Sequence, residues 1–392
     1  MNSATSVLPN YDVPATNYGA DEPAMARYRE QGVRRALLLD NRGPLQFDSE
    51  GNLKQHILES YWEHGFYIFE GLLQPDELQD IEQDVATLLD RAPIDKDSRV
   101  DHRGRPALGS QCTASNLGWV KPLSDAFGGT SLANGRHPAK MGEPEAPAAA
   151  PARVLQIVLG SLQFSDACLR LYAHPQLLRV AEAINGPDFT PFNEAVWIKH
   201  PRLGGSVAWH QDGWTHWDSP AFDAGTHGFN FMAQLYGCNA DNGLWVVPGS
   251  HKHGKADIKA LVEHAGSDRI ADAVPMICAP GDVAICNRQA IHGSFANTSD
   301  QPRVTINFGF HRRKSVLGVA SGGVHNAVAT YDAARIRERS KVLMLARSAR
   351  LQRFPEEEPY RYQPFAGEEV DYEWTDGRRG ELFDYNLLDL GI

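Results

Sequence analysis

The chain has 392 residues, and its composition is that of an ordinary globular protein, neither disordered nor fibrous. That length buries a large core in one to three domains. A formal net charge of −11 excludes a general nucleic-acid binder, which needs clustered Lys and Arg against phosphates. Residues 1–45 lack sustained periodicity and are expected to lie over the surface as an arm. Residues 54–64 (KQHILESYWEH) read as a helix with Ile57, Leu58, Tyr61 and Trp62 on one face, stopped by Gly65 as a C-cap. Phe66-Tyr67-Ile68-Phe69 reads as a short strand. Pro75 in a first turn, with Asp76 and Glu77 near the positive end of the dipole, opens another helix. Leu78, Ile81, Val85, Leu88 and Leu89 form its apolar stripe.

From about 92 to 151, Gly, Pro, Ala and Ser dominate. So long an insertion without regular elements predicts a lid or a mobile loop. Residues 165–184 read as one helix, closed by Asn185-Gly186-Pro187. Short β-type runs at 192–200, 228–236, 244–247, 283–286 and 304–310 lie between Gly/Pro/Asn/Asp turns, the rhythm of an antiparallel sandwich or barrel. Residues 331–353 return to helix, and the tail from Pro355 is acidic and aromatic. The expected division is an arm at 1–45, a main domain at 46–330 with its insertion at about 92–151, and a C-terminal helix and tail at 331–392. No run of about 18 apolar residues suggests a membrane span, and residues 1–18 lack a secretory pattern. Five cysteines without C-x-x-C spacing fit a reducing compartment, so a cytoplasmic location is expected.

Trp209-His210-Gln211-Asp212 sets an imidazole and a carboxylate two residues apart. On a strand such residues share a face, so both reach one metal ion. His292, far downstream, would join them from another strand. Two imidazoles and one carboxylate form a facial triad that leaves positions open on an octahedral Fe(II). Arg303 follows after room for a turn and a return strand, and its planar fork suits a carboxylate. On that strand Arg303, Thr305, Asn307, Gly309 and His311 share one face, while Val304, Ile306, Phe308 and Phe310 share the other. Polar side chains on an inward face are costly unless they serve a site. By the same parity Asn230, Met232 and Gln234 share a face, as do Asn193, Ala195, Trp197 and Lys199.

Candidate substrate contacts are therefore Asn193, Trp197, Asn230, Gln234 and Asn307, with Trp214 and His216 beside the His-x-Asp turn. Plainer readings stand beside these. Asn230 and Gln234 also suit ordinary buried hydrogen bonding. Trp209, Trp214 and Trp217 fit a pocket wall or a packed core equally. His216 reads more simply as a solvated or structurally bonded side chain. His227, His251, His253 and His264 read as surface or turn residues. The basic helix, with Arg335, Arg337, Arg339, Lys341, Arg347 and Arg350, reads first as a solvated face. Pairing with the acidic tail at Glu356, Glu357 and Glu358, or with an oligomer partner, is the second reading, and attraction of an anionic substrate the third. Arg312, Arg313 and Lys314 are the better placed for that last role.

Further motifs accompany the triad in order: Tyr61-Trp62-Glu63-His64-Gly65-Phe66, then Asp241-Asn242-Gly243-Leu244-Trp245-Val246-Val247-Pro248-Gly249-Ser250-His251, Pro280-Gly281-Asp282 and His292-Gly293-Ser294. With these, residues from about 53 to 313 resemble the phytanoyl-CoA dioxygenase-like branch of the Fe(II)/2-oxoglutarate oxygenases. The resemblance implies a mainly β fold with flanking helices, a double-stranded β-helix (jelly roll, cupin-like) core. It implies His210, Asp212 and His292 as iron ligands, and Arg303 with Ser294 as the anchor for 2-oxoglutarate. Met232 stands where the family often has tryptophan, beside the co-substrate. The implied reaction uses O2 and 2-oxoglutarate to oxidise, foremost to hydroxylate, a C–H bond of a small organic molecule, releasing succinate and CO2. No nucleic-acid or membrane partner is expected, and the oligomeric state is left open, a homodimer included. One rival is a radical halogenase on the same scaffold, which needs the carboxylate's place vacated for halide, whereas Asp212 is present. The other is a non-catalytic jelly-roll protein that binds metal or ligand, which has no need of open coordination positions.

Overall fold

Alternation of side chains builds this molecule. A strand whose odd positions are polar and whose even positions are apolar must lie between a packed layer and a functional one. In the computed structural model, which describes residues 6–113, 115–213, 217, 228–321 and 328–389 and only the backbone at Asn193 and Ser321, such strands form the main sheet. In chain order the elements begin with α1 (Glu22–Ala36), β1 (Arg42–Gly43), α2 (Gln55–His64), β2 (Phe66–Phe69), α3 (Pro75–Asp90), β3 (Leu117–Val120) and β4 (Val154–Leu159). Then come α4 (Asp166–Tyr172), α5 (Pro175–Asn185), β5 (Thr190–Lys199), β6 (Val207–His210), β7 (Gly228–Gln234), β8 (Trp245–Val246), α6 (Ile258–Ala265) and β9 (Val274–Pro275). The chain continues with β10 (Val283–Asn287), β11 (His292–Ser294), β12 (Arg303–His311), α7 (Arg313–Val316), β13 (Ala320–Ser321), β14 (Ala329–Thr330) and α8 (Ala333–Arg353).

Among the described residues, eight strands form a major sheet in the order β1-β2-β10-β7-β12-β5-β4-β3, and four form a minor sheet, β6-β11-β8-β9. From β5 to β12 the chain passes repeatedly between the two sheets, and only β8 and β9 follow one another in the same one. That alternation is the double-stranded β-helix, or jelly roll. In the major sheet Thr305 faces Trp197 and Gln234, and Asn307 faces Ala195 and Met232. The other face, with Val196, Ile198, Phe229, Phe231, Ile306 and Phe308, is buried against Ile81 and Val85 of α3, Tyr172 of α4, Leu177 of α5 and Leu345 of α8. Each such side chain contributes about 1.5–3 kcal/mol by leaving water.

Several expectations change. The N-terminal segment is not irregular throughout: α1, opened by Pro23, covers the back of the minor sheet. Tyr28 stacks on Trp245 at 4.5 Å. Gly32 lets the helix come that close, since a Cβ there would lie 2.5 Å from the Trp245 ring. Residues 165–184 form two helices, because Pro175 lacks the N–H that would continue the first. Within 92–151, β3 pairs with β4, and the Asp125 carboxylate accepts from the N–H groups of Phe127, Gly128 and Met141.

The basic face of α8 is not mainly solvated. Arg339, buried, donates to Glu194 at 2.9 Å and to Asp389 at 2.9 and 3.0 Å. Arg350 donates to Glu77 at 2.9 Å and to Glu357 at 2.6 Å. Pairing with the acidic tail is thus what α8 does with these residues. Among the described residues, no helix is long and apolar enough to cross a membrane.

Candidate metal centre

The minor sheet positions the histidines. β6 and β11 pair antiparallel with His210 directly opposite His292, and the ring centroids are 4.1 Å apart. β6 ends at His210, so strand parity is not what brings Asp212 in. The Asp212 N–H instead donates to the Arg288 carbonyl at 2.7 Å, a turn that sends the carboxylate back beside the imidazoles. Ligand atoms of His210, Asp212 and His292 all lie within 4.8 Å of one another, and all three residues are buried.

Each histidine Nδ1 contacts a carbonyl oxygen two residues earlier, Ala208 at 2.8 Å and Ala290 at 2.9 Å. A carbonyl can only accept, so Nδ1 carries the hydrogen and Nε2 keeps its lone pair for a metal. Burial pushes His292 down to about 4, which keeps it in the neutral form that ligates. Burial alone would raise the Asp212 carboxyl, but the groups gathered around it, the Arg136 guanidinium among them, outweigh that and hold it well below the usual range. Asn230 donates to one carboxylate oxygen of Asp212 at 3.1 Å, and Arg136 to the other at 3.2 Å. Two neutral imidazoles and one ionised carboxylate, with their orientation fixed from behind, fit a divalent iron.

Across the cavity, Arg303 is locked by its own strand and by the turn before β8. Its Nε donates to the Thr305 hydroxyl at 2.9 Å and its Nη1 to the Asn242 carbonyl at 3.1 Å. Thr305 in turn donates to Gln234 at 2.8 Å. The Nη2 of Arg303 makes no hydrogen bond among the described residues. Lys199 lies opposite Arg303 in the sheet and donates to the Phe295 carbonyl. Burial and the charge of Arg303 push this lysine well below its ordinary value.

The triad and Arg303 line one cavity of about 180 Å³ between the sheets. Ser294, Met232, Asn230, Asn307 and Trp197 line it as well. Gln234 does not; it serves the bonding chain behind Arg303. The backbone of Asn193 lies in β5, while its side chain, Trp214 and His216 lie outside the described residues, as does His227. Trp209 is core: its indole packs edge-on to Phe295 and donates to the Asp268 carbonyl at 2.6 Å. His251 is buried rather than superficial, with Nε2 at 3.0 Å from the Trp62 carbonyl. Arg312, Arg313 and Lys314 do not line the cavity.

The stretch read as an irregular insertion also lines the cavity, and Arg136 and His137 are its two ionisable contributions. Three successive residues with positive φ, Ala133, Asn134 and Gly135, turn the chain just before them. Only the adjacent Arg-His pair in an otherwise small-residue stretch could have drawn notice in the sequence.

A jelly roll with two histidines and one aspartate converging between its sheets, and a fixed arginine across the cavity, defines a facial-triad metalloprotein of the double-stranded β-helix class. Residues 61–305 match the family described as Phytanoyl-CoA dioxygenase (PhyH), and the chain belongs to that family. It is 29% identical over 147 residues to "Dioxygenase lolE1" of Epichloe uncinata, covering 35% of this chain and 52% of that protein. It is 29% identical over 114 residues to "Phytanoyl-CoA dioxygenase 1" of Oryza sativa subsp. japonica, covering 27% of this chain and 39% of that one. The chain thus spans about half or less of the length of these curated relatives. Among solved structures it is similar to EctD from S. alaskensis with 2-oxoglutarate and 5-hydroxyectoine, at 18% identity and a TM-score of 0.47, covering 70% of this chain and 81% of that one. It is likewise similar to AviO1 from Streptomyces viridochromogenes Tue57, at 21% identity and a TM-score of 0.45, covering 65% and 92%.

Proposed function

We propose that this protein is an Fe(II)- and 2-oxoglutarate-dependent dioxygenase that oxidises, foremost by hydroxylation, a C–H bond of a small organic molecule. The observation that carries the reading is one cavity bearing a pre-oriented facial triad and, across from it, an arginine with a nitrogen to spare. Iron held by His210, Asp212 and His292 would supply O2 activation and cleavage of the C–H bond, coupled to conversion of 2-oxoglutarate to succinate and CO2.

The chain's own part is positional. The Ala208 and Ala290 carbonyls fix both imidazole tautomers. Asn230 orients the carboxylate from its far side. Arg303 of the major sheet and Ser294 of the minor one, both lining the cavity, receive the distal carboxylate of the keto acid, and burial strengthens that contact by excluding water. Retention of Asp212 favours oxygenation over halogenation, because the carboxylate fills the place a halide would need. Three protein ligands rather than a closed set of four favour catalysis over a structural metal site.

Iron per chain and 2-oxoglutarate-dependent succinate formation test this together, in wild type and His210→Ala. One iron per chain and succinate formation are expected in the wild type, with both lost in the variant. Equal iron in the two proteins would remove the assigned site; iron without 2-oxoglutarate turnover would leave a metal-binding protein only.

A further inference from the structure

The cavity holds a second basic point that the keto-acid anchor does not use. Arg136 and His137 are 6% and 3% exposed. Among the described residues, Arg136 contacts Asp212 at 3.2 Å and His137 at 3.4 Å, while its Nε has no partner. The His137 Nδ1 is also buried without a partner. His137 stacks flat on His210, with centroids 4.4 Å apart and planes at 13°. These two side chains therefore stand beside the metal ligands with unspent polar atoms, and Trp119, Phe127 and Trp197 supply apolar wall around them.

A buried guanidinium is costly without a counter-charge. Asp212 lies beside it, but that carboxylate also belongs to the metal ligands. The charges at the centre make the need plain. A dication, the Asp212 carboxylate and a doubly negative keto acid sum to one negative charge, which Arg303 neutralises. Arg136 then remains as positive charge without an anion of its own. Glu194, also on the cavity wall, does not supply it, because it pairs with Arg339 at 2.9 Å.

Building on the iron and 2-oxoglutarate reading, we propose that Arg136, assisted by His137, is the recognition point for the organic substrate, and that the substrate is a small carboxylate with an apolar body. The carboxylate accepts from the guanidinium nitrogens, and the apolar body lies against the aromatic wall. Anchoring the acid at Arg136 holds the neighbouring carbons on the metal's flank. The segment between β3 and β4 is then a specificity element that delivers one cation to the site.

Calorimetric titration of the anaerobic, Fe(II)-loaded protein with saturating 2-oxoglutarate tests this, using matched probes: phenylacetate against phenylacetamide, and hexanoate against hexanamide. In the wild type each acid should bind at least about tenfold tighter than its amide, the size of a charge-assisted hydrogen bond. Arg136→Gln should bring each pair to within about twofold, and Arg136→Lys should keep part of the preference. The affinity for 2-oxoglutarate, titrated first in each protein, should change little in Arg136→Gln. Equal binding of acid and amide by the wild type, or no binding of either acid at millimolar concentration, overturns the proposal. So does a collapse of 2-oxoglutarate binding in Arg136→Gln, which would place this arginine on the keto acid. If the wild type takes up iron but no 2-oxoglutarate, the proposed function fails, while the acid-over-amide preference of the iron-loaded protein still reports on Arg136.

Discussion

Arg303 shows how one side chain is held in a single direction. Two of its nitrogens are spent on Thr305 and Asn242, so its direction is fixed before any ligand arrives. Arg303→Leu keeps much of the bulk and removes the fork. Loss of a charge-assisted hydrogen bond costs about 1.5–3 kcal/mol, so the KM for 2-oxoglutarate should rise about ten- to a hundredfold. Iron content should stay near that of the wild type, and steady-state 2-oxoglutarate consumption checks the KM. An unchanged KM would take Arg303 out of the site. Glu194 carries a different signature. Burial, partly offset by Arg339, pushes its carboxyl up to about 8 from an ordinary 4.5, and its Oε1 is buried without a donor. The folded state therefore holds this proton more tightly than the unfolded state. Its contribution to stability is complete below the ordinary value and is lost as pH rises through about 8. Glu194→Gln removes that titration, so the Tm of the variant relative to wild type should climb between about pH 5 and about pH 8. A constant Tm difference across that range would show that Glu194 folds already ionised.

At the scale of elements, β12 couples the packed layer to the proposed metal ligands. Its register shifts between Phe308 and Gly309, and Gly309 stands opposite Asn230 of β7. A Cβ at Gly309 would lie 2.5 Å from the Asn230 side-chain oxygen and 2.6 Å from the Phe229 carbonyl. Gly309→Ala should therefore displace Asn230, free the Asp212 carboxylate and weaken metal binding about ten- to a hundredfold. Titration with Fe(II) reads this directly, and full affinity in the variant would mean that Asn230 does not hold the ligand in place. The same comparison of elements shows what the sequence can reveal. The long strands β5, β7 and β12 are legible because period-two alternation runs through them, and α2 because Gly65 caps a clear apolar face. Of the minor sheet only β8 falls within an expected run, 244–247, since strands of two to four residues give little period to detect. His210 and His292 are found there by motif alone. Helix α1 escapes because two of its buried residues, Gly32 and Ala36, are too small to mark a stripe beside Met25 and Tyr28. Arg136 escapes because its direction depends on a left-handed turn that no apolar pattern announces.

Across the whole molecule, charge is organised from back to front. The cavity gathers the guanidinium groups of Arg136 and Arg303 inside a chain of net charge −11. Toward α8, Arg339 ties together Glu194 of β5, which also reaches the cavity wall, and Asp389 of the tail, and Arg350 ties Glu77 of α3 to Glu357. Such buried pairs add little net stability when complete, but losing one partner costs about 3–5 kcal/mol.

The arginine bridge from β5 to Asp389 also sets a timetable. Synthesis runs from the N-terminus, so Glu194 emerges long before the tail residue that completes the hydrogen-bond network around it. Until then the Arg339 guanidinium, buried against that strand, lacks the Asp389 carboxylate that accepts from it. Domains that fold during translation settle as units once their contacts exist; here the contact to Asp389 is made only after every strand of both sheets has emerged. Ribosome-bound chains halted before residue 389 should remain open to protease even when every strand of both sheets has been synthesised. Resistance that appears with the strands alone would show that the tail is an addition to a finished fold.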